Sequence, residues 1–256
     1  MTRRGPSALG ALAALLLLAS TVYTPVIAGP PFRTDDPEPV DLGHYEFILF
    51  STGTQTTSGA NGVLPALEAN YGALPHLQLH AIVPQGYNAP TDGRTGFAPA
   101  DIELGTKYRF ITPGDDDWFP QVGVFPLIEV PVGNQKLGFS TGHAQVYLPV
   151  WLQKDFDPWT IYGGGGFWIN PGVANKNYGF AGVALWRQVT DDLALGVEVF
   201  HQTSSGVGVK ENTGFNLGAT YDFSKNWHLL VSAGSGIQDA TQTNQFSYYL
   251  GLQLTF

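Results

Sequence analysis

The sequence predicts an all-β fold: a closed, up-and-down, antiparallel transmembrane β-barrel of about twelve strands. Three observations predict it. Runs of about ten residues alternate apolar and polar side chains, the period of a strand with one apolar face. The connections between runs alternate long and short. The chain is charge-poor, with 13% Asp, Glu, Lys and Arg against 43% hydrophobic residues.

Composition removes the other classes. The 256 residues include 32 Gly and 18 Pro, which weaken helix interiors. The apolar content argues against disorder. There is no Cys, so disulfides and Cys-ligated metals are excluded. A net charge of −9 argues against a nucleic-acid partner.

Residues 1–28 read as a signal peptide. Arg3 and Arg4 precede an apolar stretch, Ala8 to Ala19, and Val26 and Ala28 stand before a cleavage point at Gly29. Residues 29–43 read as a periplasmic leader, and residues 44–256 as the barrel. No later segment is apolar for long enough to cross a bilayer as a helix.

Strands begin near residues 44, 64, 76, 101, 119, 143, 159, 178, 193, 214, 227 and 246. Short connections carry turn chemistry. They include Gly72-Ala-Leu-Pro75, Pro113-Gly-Asp-Asp-Asp117, Asp155-Phe-Asp-Pro158, Thr190-Asp-Asp192 and Ser224-Lys-Asn226. Long connections are polar and Gly-rich: 53–63, 85–99, 131–142, 170–177, 203–212 and 237–245. Short turns at one end and longer loops at the other are the habit of a membrane barrel. The even strand count puts both termini at the short-turn end, the periplasm.

The faces separate the barrel from a soluble sandwich. One face of each strand is apolar and uncharged, as in Leu148, Val150 and Leu152, or Leu195, Val197 and Val199. A charge there would cost ~2–4 kcal/mol at the bilayer midplane. The other faces hold Glu46, Glu68, His76, His80, Asp101, Glu103, Lys107, Arg109, Glu129, His143, Arg187 and Glu198, the candidate lumen residues, with Asp222 and His228 beside them. Two readings are open: a charged constriction that tunes selectivity, leaning toward cations, or a salt-bridge network that fills the interior. Phe50, Ile82, Phe125, Leu127, Tyr147, Trp151 and Trp168 share the inward phase. They form either a path for apolar solutes or plugs. The strand near 178 has competing apolar phases, and its faces stay unassigned.

The last strand alternates to the final residue through Tyr248, Leu250, Leu252, Leu254 and Phe256. This ending is similar to the signal read by the barrel-assembly machinery of Gram-negative bacteria. The expected partners are outer-membrane lipid, that machinery and a small-molecule solute. No cofactor or metal is expected, and the chain is expected to be a monomer.

Several stretches carry a family resemblance. Asp101-Ile-Glu-Leu-Gly-Thr-Lys-Tyr-Arg-Phe110 is one. Leu148-Pro-Val-Trp-Leu-Gln-Lys-Asp-Phe156, followed by Trp159-Thr-Ile-Tyr-Gly-Gly-Gly-Gly166, is another, and the leader Thr34-Asp-Asp-Pro-Glu38 is a third. They resemble motifs of the outer-membrane transporters associated with the meta-pathway of phenol degradation. The resemblance implies a barrel that moves small compounds, aromatic or apolar ones among them. It carries over no substrate-binding residues.

An enzymatic alternative rests on His201-Gln-Thr-Ser-Ser-Gly206 at the loop end of a strand. Outer-membrane phospholipase, also a twelve-stranded barrel, has a Ser and a His on its lipid-facing surface. Here the residue two after His201 is Thr203, and no orienting third group is evident, so no enzyme activity is expected. A filled barrel without transport is the other alternative.

Overall fold

The computed structural model describes residues 30–114 and 118–256. The expected signal peptide and the turn residues Asp115 to Asp117 lie outside them. Fourteen strand segments follow in order: β1 (Tyr45–Thr56), β2 (Gly59–Leu74), β3 (Leu77–Pro90), β4 (Gly96–Pro99), β5 (Ile102–Ile111), β6 (Gln121–Val124), β7 (Leu127–Val130), β8 (Gln145–Phe156), β9 (Trp159–Ile169), β10 (Tyr178–Thr190), β11 (Leu193–Gln202), β12 (Asn212–Asp222), β13 (Trp227–Gln238) and β14 (Phe246–Thr255). They make one closed antiparallel barrel of twelve staves. β6 and β7 are two halves of one stave, both paired with β5 and β8. β4 is an extra strand on the upper part of β3. The ring closes where β1 meets β14, from Glu46 opposite Thr255 to Gln55 opposite Phe246. Closure leaves no unpaired edge in the wall, which a bilayer requires.

The stave break falls at Phe125-Pro126, because Pro126 has no N–H to give the ladder. Two connections differ from expectation. Residues 53–63 are not a loop: β1 and β2 run on to a tight turn at Thr57 and Ser58. The Thr-rich stretch favours strand, and this outweighs its Gly and Asn. The segment 85–99 is likewise mostly strand, since β3 reaches Pro90 and pairs with β4.

The alternation sorts the side chains. Leu148, Val150 and Leu152 of β8 are exposed on the outer wall, while Tyr147, Trp151 and Gln153 are buried inside. β11 does the same, with Leu195, Val197 and Val199 outside and Ala194, Glu198 and Phe200 inside. The unassigned strand is β10. Its even positions, Phe180, Ala184 and Trp186, are buried, so Ala181 and Val183 face out.

The interior is not empty. Of residues 29–43, expected as a periplasmic leader, residues 30–40 thread into the barrel. Thr34 and Asp36 are fully buried there and Phe32 is 8% exposed. Phe32 packs against Trp186 at 4.8 Å between ring centroids, within an aromatic core that includes Tyr162.

Candidate functional site

The leader is held along its length by inward side chains. At the short-turn end, the Gly43 N–H donates to the Gly72 carbonyl at 2.7 Å. Farther in, the Val40 N–H donates to Gln78 at 2.8 Å, and Arg109 donates to Glu38 at 3.1 Å. Lys107 Nζ lies 2.9 Å from Asp35 and 3.4 Å from Asp36. The Thr34 N–H donates to Glu198, which also accepts from Asn216 at 2.6 Å. Arg33 reaches the loop-side cavity. Its guanidinium sits 4.5 Å from the Phe200 ring centroid and donates to Gln202 at 2.7 Å. The chain then turns back, and Ser232 donates to the Pro31 carbonyl.

Small wall residues make room for this segment. A Cβ on Gly218 would lie 2.6 Å from Phe32, and one on Gly182 would collide with Thr34 Oγ1. One cation serves two acids at Lys107. Burial works against the charge on Asp35, but Lys107 and the hydrogen bonds from Lys107 and Asp36 hold its carboxyl below the ordinary value. Burial pushes the Asp36 carboxyl well up; Lys107 opposes this, while Asp35 and Glu38 add to it.

A second network lines the wall from β1 to β5. Asn70 donates one amide hydrogen to Glu46 at 2.7 Å and another to Glu68 at 2.8 Å. Its carbonyl is thereby left to accept from His80 Nδ1 at 2.7 Å. His80 Nε2 then shares a proton with Glu103 at 2.9 Å. Glu129 stands apart from this chain and accepts from Gln145 at 2.8 Å.

Nine of the twelve charged or histidine candidates therefore point into the barrel or its mouth, and three do not. His76 is exposed in the Leu74–Leu77 turn with a φ of 62°, so a turn conformation removes it from the strand phase. His143 is exposed in the connection before β8, its ring bonded to the Thr141 carbonyl. Arg187 belongs to the outer phase of β10 and stacks over Trp159 at 5.3 Å. Asp101 is at the mouth, accepting from the Gly133 N–H at 2.9 Å. The residues that sequence reasoning missed are on the leader: Arg33, Asp35, Asp36 and Glu38. The available signal was an acid-rich segment in a chain whose lumen phase carries Lys107 and Arg109.

Two cavities flank the leader. The loop-side cavity, about 280 Å³, is walled by Tyr147, Trp151, Trp168, Tyr178 and Phe180. Tyr147, Trp168 and Tyr178 stack in a ladder with centroid spacings of 4.8 and 5.8 Å. The turn-side cavity, about 700 Å³, is bordered by polar groups such as Glu46, Asn70, Asp222 and His228. No group of His, Asp and Glu among the described residues is arranged to hold a metal ion.

On the outer wall, His201 Nδ1 is bonded to Thr213 Oγ1 at 2.8 Å, and that hydroxyl donates to Gln238 at 2.7 Å. Thr203 Oγ1 accepts from the Gly179 N–H, and Ser204 donates to the Gly206 and Val209 carbonyls. The spacing of His201 and Thr203 thus forms no nucleophile–base hydrogen bond here.

The fold is that of outer-membrane channels. The chain is similar to an outer-membrane channel from Pseudomonas putida F1, with a TM-score of 0.68, 16% identity and coverage of 86% of this chain and 98% of that one. It is also similar to the KdgM porin in complex with disordered oligogalacturonate, with a TM-score of 0.56, 12% identity and coverage of 83% and 99%. No family model matches the chain. No curated protein matches it either.

Proposed function

We propose that this protein is a monomeric outer-membrane channel for the passive passage of small solutes, with its own leader as an internal plug. The observation that carries the reading is the pair of cavities, one toward each mouth, separated by the leader. A barrel serving only as structure has no need of space on both sides. The predominantly apolar outer wall, with Arg187 close to its short-turn rim, supports a bilayer as the solvent. The short-turn end, where both β1 begins and β14 ends, is the periplasmic one, and the terminal strand with Phe256 is the assembly signal. The ring-walled loop-side cavity suits flat apolar or aromatic solutes, which stack on such rings. This agrees with the resemblance to transporters of the phenol meta-pathway.

The test is a planar-bilayer recording and a liposome-swelling assay on purified, refolded protein. Conductance and uptake of neutral aromatic solutes are expected. Their complete absence, with the barrel folded by heat-modifiable gel mobility, would replace the channel with a filled barrel. Phospholipid hydrolysis that disappears in His201→Ala would instead favour the lipase reading.

A further inference from the structure

The two cavities share four wall residues: Pro30, Asp35, Glu68 and Phe125. Two belong to the leader and two to the barrel wall. These four residues border both cavities, so a solute crossing from one to the other would pass beside them. Phe125 is 5% exposed and fixed from two sides. The His80 ring meets it edge-on at 5.0 Å, and Lys107 Nζ lies 5.1 Å from its centroid. Pro30 and Phe125 thus give an apolar wall, while Asp35 and Glu68 give two carboxylates.

We propose that Asp35 and Glu68 form the charge filter of the conduit, one carboxylate contributed by the leader and the other by the wall. The inference rests on the channel reading above. The filter admits cations and neutral solutes and rejects anions. The surrounding charges set that sign. The leader presents Asp35 and Asp36, β1 Glu46, β2 Glu68, and β5 Glu103 and Lys107, while β3 presents His80. The acids outnumber the bases even when Asp36 is neutral and His80 is protonated. In a narrow passage with apolar walls, one sign of charge focuses the field and raises the barrier to the other sign. Arg33 does not reverse this, because it lines the loop-side cavity alone and is partnered by Gln202.

The experiment is the reversal potential of refolded protein in a planar bilayer under a KCl gradient. Wild type is expected to favour K⁺ over Cl⁻. Glu68→Gln should lower that permeability ratio several-fold, and the Asp35→Asn, Glu68→Gln pair should bring it close to one. Asp191→Asn removes the same charge from an exposed turn and should leave the ratio as it was. Heat-modifiable mobility confirms that each variant is a folded barrel. An unchanged ratio in folded Glu68→Gln, or an equal fall in Asp191→Asn, overturns the filter. Such a result leaves the channel standing, whereas the absence of any conductance overturns the channel itself.

Discussion

Lys107 is the residue on which the leader's position depends most. It is 5% exposed and is the cation shared by Asp35 and Asp36. Removing one partner of a buried ion pair costs about 3–5 kcal/mol, because the other charge is left unpaired. Lys107→Met is therefore expected to release the leader, making residues 30–43 cleavable by protease in the folded barrel and raising conductance. A steric route should give the same phenotype. Gly218→Leu places a side chain where Phe32 now sits, and the same protease assay should show an undocked leader; a leader that stays protected would mean that Phe32 is not an anchor. At this scale the sequence was partly readable. Period-two phase located Glu68, Lys107 and Glu198, because inside and outside alternate along a strand. It failed at His76 and His143, which lie off the strands, and at Arg187, where two apolar phases competed. It could not show that Asp35 meets Lys107, since a contact across 72 positions leaves no local pattern.

The strands follow the sequence closely because each must bury one face against lipid and keep the other polar or small. That rule makes the outer wall intolerant of charge. Val197→Arg on β11 should destabilise the barrel by ~2–4 kcal/mol in a lipid-bilayer unfolding titration. Asn216→Ser, on the inner face of β12, should cost far less than that, since it keeps a polar side chain beside Glu198. Equal losses would mean that the outer wall is not in lipid. Boundaries were legible where Pro, Asp or Asn marked a turn, as at Asp157-Pro158 and Asp191-Asp192. They were not legible at the first hairpin, where Gly59 and Gly62 suggest a loop but sit in a paired ladder. The split of one stave into β6 and β7 was written in Pro126, although only the register shows that both halves keep the same neighbours.

The leader changes how the whole molecule is understood. A twelve-stranded barrel falls between filled eight-stranded barrels and open channels of sixteen strands. Here the same chain supplies what fills the middle, and the filling is tethered rather than built into the wall. Ion pairs and hydrogen bonds at Asp35, Asp36, Glu38 and Thr34 hold it, next to one aromatic anchor at Phe32. The wall ladder closes by itself from β1 through β14 and does not include residues 30–43 in any of its strands. Deleting residues 30–43 should therefore leave a folded, heat-modifiable barrel. Its conductance should be larger than that of the intact chain, and its uptake should no longer distinguish solutes by charge as strongly, because Asp35 leaves with the leader. If the deleted form does not fold, the leader is part of the core rather than a plug. If it folds with unchanged conductance, the path between the two cavities does not pass beside the leader, and Glu68 would have to act without its counterpart.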